Sequence, residues 1–252
     1  MEIVLKDLKT AIVGRSILHY RTLPSTMDFA KRLAKEGIGE GVVVLCDEQT
    51  EGRGRQGRKW FASPSSSILM SVVFRPTLEQ LPQLNMLASL AIVLTIEKVA
   101  GTKSTIKWPN DVLIDGKKIA GILMENAFEG AALQAAIVGV GLNISLDVSA
   151  YPEISSIATS LSAKAGRDFN RDDILRTLLE EMDALYQAVK RNEDVYHQWL
   201  PHVETLGKTV RIKSGKSVEE GLAQSINPDG SITLRRFDGS LVTIATGDIE
   251  GH

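Results

Sequence analysis

The sequence predicts an α+β chain: a mixed central sheet packed by helices, followed by a small β-barrel of the SH3 type. Apolar runs of strand length alternate with helix-length amphipathic stretches through the first 205 residues. From about residue 206 the texture shifts to short polar–apolar alternation, "LGKTVRIKSGKSVEEGLAQSINPDGSITLRRFDGSLVTIATGDIE". Turn signals at "SGK", "NPDG" and "FDG" cut this tail into closely spaced strands. These observations divide the chain into residues 1–205 and a barrel at 206–252.

In "LPSTMDFAKRLAKEG", Ser25 or Thr26 caps a helix with Met27, Ala30, Leu33 and Ala34 on one face and Gly37 as its stop. "GVVVLCDEQ" is a buried strand. A glycine–arginine loop follows at 50–60, then a Pro–Ser stretch at 63–67 and a second strand, "SILMSVVF". Residues 79–100 predict a long helix, with Pro82 tolerated in its first turn. "STIKWPNDVLIDGKKIAGILMEN" holds a hairpin turning at Asp115–Gly116, where positive φ is needed. "ALQAAIVGVGLNIS" is another strand. Residues 146–168 predict a loop with a short helix, 171–192 a helix with one polar face, and 194–204 a further helix.

Bulk properties remove several classes. At 43% hydrophobic residues the chain can bury a normal core, unlike a disordered tail. A net charge of -2 argues against a broad DNA-binding surface, so any phosphate contact must be local. One cysteine excludes an internal disulfide and a Cys-based zinc site, and fits a reducing cytoplasm. Cys46, inside "VVVLC", reads as a buried thiol. His19, His197, His202 and His252 are scattered, without metal-ligand spacing. No signal-peptide pattern opens the chain. "MLASLAIVLTIEKVA" is interrupted by Thr, Ser and Glu, short of the ~20 apolar residues of a membrane span. The expectation is a cytoplasmic protein without membrane contact.

"TEGRGRQGRKW" matches G-x-G-x-x-G at Gly52, Gly54 and Gly57. A dinucleotide fold needs those glycines at a strand-to-helix turn. Here proline, serines and a strand follow, so that reading fails. No G-K-[ST] closes a Walker loop, and no "HRD" or "DFG" supports a kinase. What remains is a pliant segment whose Arg53, Arg55, Arg58 and Lys59 suit a carboxylate or phosphate.

Three further segments lie in order behind "STMDFAK" and that loop: "KWPNDV" at 107–112, "GKKIAGILME" at 116–125 and "GVGLN" at 139–143. Together they resemble the catalytic domain of the biotin protein ligases (biotin–[acetyl-CoA-carboxylase] ligases), over roughly residues 20–190. The tail resembles that family's C-terminal domain. The resemblance implies a class II synthetase-like catalytic domain. It also implies a two-step reaction. The biotin carboxylate attacks the α-phosphate of ATP, giving biotinyl-5′-AMP and pyrophosphate. A lysine of a biotin carboxyl carrier protein domain then takes the biotinyl group and AMP leaves. About 20 residues precede the match, fewer than three helices of 10–14 residues need. The likeness is therefore to the monofunctional form, without DNA binding.

Residue by residue, the resemblance places Lys118, Arg55 and Asp111 as catalytic. Lys117, its strand neighbour, should face the other way. It assigns Ser25, Thr26, Gln49, Gly52, Arg53, Arg55, Lys118 and Gly121 to biotin. It assigns Arg55, Trp60, Asn110, Lys118 and Asn143 to ATP, and Asn110 and Asp111 to Mg²⁺. Asp111 has two open roles, metal ligand or acceptor of the incoming lysine's proton. Met27 stands where relatives often carry Asn. The loop is expected to order over ligand, at about 1–2 kcal/mol of backbone entropy per residue. Relatives of this family can dimerise through sheet edges; no feature here decides it. A lipoate or octanoyl ligase of the same fold is the rival enzyme. A nucleic-acid module using the Gly–Arg loop is the rival binding protein.

Overall fold

The computed structural model describes residues 2, 3, 5 and 7–250; His252 lies outside the described residues. The elements of the first sheet are β1 (Glu2–Ile3), β2 (Ile17–Leu23), β3 (Val43–Gln49), β4 (Ser67–Phe74), β5 (Thr105–Lys107), β6 (Asp111–Ile114), β7 (Lys117–Glu129) and β8 (Ala132–Asn143). Their order is β1-β2-β3-β4-β8-β7-β6-β5. Only β2 and β3 pair in parallel, joined by the helix α1 (Thr26–Lys35); the other pairs are antiparallel. The sheet is mixed, as expected. β2 is an element the sequence pattern did not mark.

The strands alternate between two faces, and each face has its own cover. Ile68, Met70, Val72 and Phe74 of β4 and Ala136, Val138, Val140 and Leu142 of β8 enter the larger core. That core lies under α2 (Gln83–Ala100) and α4 (Arg171–Lys190). Leu69 and Val73 of β4 and Ala135 and Ile137 of β8 enter a smaller cluster under α1. α2 is apolar on nearly every side, long and apolar enough to pass for a membrane span. It is instead buried between the sheet, α4 and the one-turn α5 (Tyr196–Trp199), the environment that an all-round apolar helix needs.

Local chemistry sets the boundaries. Ser25 caps α1, its hydroxyl accepting from the Asp28 N–H, and Asn170 caps α4 through Asp172 and Asp173. α2 starts at Gln83, not at 79, because Thr77 and Gln80 trade side-chain-to-backbone hydrogen bonds and hold a turn. The hairpin of β6 and β7 turns at Asp115 (φ 49°) and Gly116 (φ 73°). In 146–168 the helix is α3 (Leu161–Ala165). The 194–204 helix is shorter than expected, α5 passing into a 3₁₀ turn that contains Pro201. Buried Asp183 of α4 accepts from the N–H groups of Ala11, Ile12 and Val13 at 2.7–2.8 Å, which ties down the N-terminal segment.

The second sheet, β9 (Thr209–Ser214), β10 (Ser217–Ile226), β11 (Ile232–Arg235), β12 (Leu241–Ile244) and β13 (Asp248–Glu250), is antiparallel in the order β12-β11-β10-β9-β13, an SH3-like barrel. It is not a free appendage. Its Ile212, Ile226 and Leu234 share one continuous core with the first sheet. Trp108 Nε1 donates to the Gly230 carbonyl at 2.9 Å, and Tyr196 Oη to that of Ile226 at 2.6 Å. Cys46 is fully buried in β3, as read, and burial pushes its thiol up to about 12.

Candidate functional site

The α1 side of the sheet is incompletely covered. Past Ile137, the same face of β8 presents Gly139, Gly141 and Asn143, so the apolar cluster gives way to open space. A cavity of about 240 Å³ opens there, roofed by the Gly–Arg loop and bordered by the barrel.

Its inner end is small and polar. Thr26 donates its N–H (2.8 Å) and its hydroxyl (3.1 Å) to Gln49 Oε1 and shares a contact of 2.9 Å with the Ser71 hydroxyl. Ser25, Thr26 and Ser71 are buried, and all four residues line the cavity. Gly52 does not line it. A Cβ there would lie 3.1 Å from Gln49 Nε2, so its bareness lets the loop pack on Gln49.

Two glycines make the floor. Gly121 of β7 and Gly141 of β8 are directly paired, and the Trp60 ring lies across them. A Cβ on Gly141 would sit 2.5 Å from the indole, and one on Gly121 3.0 Å from it and from Lys118 Cε. The sequence reading gave Gly121 to a ligand; here its missing side chain first admits Trp60 and Lys118. Trp60 Nε1 is buried with no hydrogen-bond partner among the described residues, the kind of donor that a ligand acceptor satisfies.

Lys118 reaches this floor through a bulge. Val112 pairs with Ala120 but Leu113 with Lys118, leaving Ile119 extra. Ile119 and Ala120 both enter the large core, and Lys118 turns to the cavity side with Asp111 and Gly121. Its Nζ lies 2.6 Å from Asp111 Oδ1 and 5.6 Å from the Trp60 ring centroid. Lys117 is exposed and outside the cavity lining.

The loop arginines are already engaged. Arg53 pairs with Glu125 of β7 and, at 2.6 Å, with Asp28 of α1. Burial pushes the Glu125 carboxyl up, but hydrogen bonds from Arg53 and Lys31 outweigh this and hold it below the usual range. Arg55, expected on a substrate anion, here donates to the Gly247 carbonyl at 3.0 Å and lies 3.3 Å from Asp248 Oδ1. Arg58 Nη2 is 2.6 Å from Asp248 Oδ2. Asn110 donates its amide to the Ile122 carbonyl at 2.6 Å, and Asn143 to that of Thr159 at 3.0 Å. Both asparagines line the cavity, yet these donors fix backbone.

Sequence reasoning did not select Ser71, Lys107, Gly139, Gly141 or Asp248, all of which line the cavity. Alternation along "SILMSVVF" carried a signal for the serine, and the "GVGLN" segment held both glycines without either being singled out. Burial pulls the Lys107 ammonium below the ordinary lysine range, with Asp111 opposing. Among the described residues no group of three or more His, Cys, Asp or Glu gathers as a metal site.

Comparison with known proteins decides what this geometry belongs to. Residues 18–143 match the Biotin/lipoate A/B protein ligase family, and residues 205–250 match the Biotin protein ligase C terminal domain. The chain belongs to the biotin protein ligase family. It is 34% identical over 248 residues to the Bifunctional ligase/repressor BirA of Bacillus subtilis, covering 96% of this chain and 76% of that protein. It is 32% identical to the Biotin--[acetyl-CoA-carboxylase] ligase of Paracoccus denitrificans, over 84% of this chain and 90% of that one. The biotin protein ligase of Aquifex aeolicus, solved in complex with biotin and ATP, shares the fold: TM-score 0.79, 24% identity, 93% of this chain and 97% of that one.

Proposed function

We propose that this chain is a biotin protein ligase that forms biotinyl-5′-AMP from biotin and ATP, then transfers the biotinyl group to a lysine of a carboxyl carrier domain. The observation that carries this reading is one cavity with three chemistries. It has a hydroxyl-rich inner end at Thr26, Gln49 and Ser71, a Lys118–Asp111 pair over a glycine floor, and a roof of arginines. The inner end supplies hydrogen bonds suited to a ureido ring beside the apolar wall of Met27 and Leu123. A carboxylate approaching a triphosphate builds negative charge, and fixed cations offset it without reorganising in the reaction. Lys118, held by Asp111, and Arg55 fill that role, with Lys107 beside them.

Mg²⁺ fits the carboxylates present in the mode it prefers, substrate phosphates plus one or two protein carboxylates. Asp111, with Asn110 beside it, would hold the ion through the carboxylate oxygen that Lys118 leaves open, and the ion would supply counter-charge for the phosphates. The carrier lysine, with a pKa near 10.4 in water, arrives mostly protonated. In its other role, Asp111 would accept that proton. The biotin-specific C-terminal match and the names of the relatives disfavour a lipoate ligase. A division at residue 205 into catalytic domain and barrel suits this reading. Incubation with biotin, ATP and Mg²⁺ should yield biotinyl-5′-AMP by mass, and pyrophosphate exchange that needs biotin and ignores lipoate. Absence of both products refutes the proposal.

A further inference from the structure

The barrel carries one carboxylate that faces the Gly–Arg loop across the domain junction. Asp248 opens β13, and its side chain is 10% exposed. It lies 3.3 Å from Arg55 Nε through one oxygen and 2.6 Å from Arg58 Nη2 through the other. Arg55 also donates to the Gly247 carbonyl and, at 3.3 Å, to the Thr246 hydroxyl. Gly247 lets this corner fold tightly: a Cβ there would lie 2.6 Å from Ile212 and 2.9 Å from the Lys213 carbonyl oxygen. All three charged groups line the cavity. The loop and β13 are nearly 200 residues apart in sequence, so this contact exists only because the barrel docks.

One carboxylate faces two guanidinium groups, so the cluster keeps a surplus positive charge. A mostly buried carboxylate is stable there because both oxygens accept charge-assisted hydrogen bonds or ion pairs. A substrate anion entering below the loop therefore meets arginines already aimed by Asp248, and it needs to draw over only one of them. We propose that Asp248 is a positioning residue for the adenylating step: it sets Arg55 and Arg58 over the cavity, and this is what the barrel contributes to the site. The inference rests on the adenylating activity proposed above.

The test is biotin-dependent pyrophosphate exchange by the full chain. Asp248→Asn keeps the size and removes the charge; Asp248→Glu restores it on a longer stem. Asp248→Asn should lower kcat/KM for ATP by about 10- to 100-fold, the range expected when a reacting group is misplaced by about 1 Å. Its Tm should fall by a few degrees, because a mostly buried charge partner is lost, with the chain still folded at the assay temperature. Asp248→Glu should recover most of the loss. Arg58→Ala should be less damaging in the Asp248→Asn background than in the wild type, because the pair acts as a unit. Exchange by Asp248→Asn within twofold of the wild type, or above it, overturns the inference. So does a loss that tracks a fallen Tm without rescue by glutamate, or strict additivity with Arg58→Ala. A wild-type chain with no exchange refutes the ligase reading itself, a separate outcome.

Discussion

The two faces of the central sheet use the same strands for opposite ends. On β4, Ile68 and Val72 point into the helix-covered core and Ser71 into the cavity. On β8, Val138 and Leu142 enter the large core, while Gly139 and Gly141 leave room for Trp60 and the cavity. One face is close-packed and supplies stability; the other gives up packing to keep space, hydroxyls and unbalanced charge. The contrast teaches that a functional surface here is made by omission. Small residues appear at alternate positions whose neighbours are large.

If that division is real, substitutions one residue apart should separate stability from activity. The largest expected effect is Ile68→Ala, which should cost about 2–5 kcal/mol in urea unfolding while leaving the KM for biotin near the wild type. A larger KM change than stability change would break the contrast. Lys118→Ala should lower biotinyl-5′-AMP formation by about 10²–10³-fold with an unchanged fold, and Lys117→Ala should stay within about twofold. Equal losses in single-turnover assays would mean that the bulge does not aim Lys118. Gly141→Ala pushes a methyl into the indole and should cost about 1–3 kcal/mol, with a visible shift in tryptophan fluorescence. An unshifted spectrum would place Trp60 elsewhere in solution.

The acid limb sharpens the comparison further. The Glu125 carboxyl is held below its ordinary value of 4.5 by Arg53 and Lys31 against the opposing pull of burial. A carboxyl whose folded pKa is depressed adds stability above the unfolded value, and that stability is lost as pH falls through the folded one. Tm should therefore fall as the pH drops below the ordinary carboxyl value of 4.5, and Glu125→Gln should flatten that fall. Identical pH profiles would remove Glu125 from the loop's support. The smallest effect is Ser71→Ala, about 0.5–1.5 kcal/mol for one buried hydrogen bond. Most of its consequence should show as a raised KM for biotin.

Much of this was legible before the fold. Alternation in "SILMSVVF" and the Asp115–Gly116 turn located strands and a hairpin, because side-chain period and turn chemistry are local properties. The ordered segments from "STMDFAK" to "GVGLN" pointed to the family and to Lys118, Asp111 and the loop. The loop's arginines were legible as anion-binding groups, but not their partners. Arg53 on Asp28 and Glu125, and Arg55 and Arg58 on Asp248, are contacts between segments that no local pattern joins.

The sequence by itself determined most of the element types, though not β2, together with the likeness to biotin ligases and the residues that carry charge. Only the tertiary structure decided that Ile119 bulges and turns Lys118 inward, that Gly121 pairs with Gly141 beneath Trp60, and that Asp248 grips the loop. Propensity and periodicity act within a few neighbouring residues. Strand register and domain docking are settled by packing across the whole chain, where burial of distant surfaces outweighs any local preference.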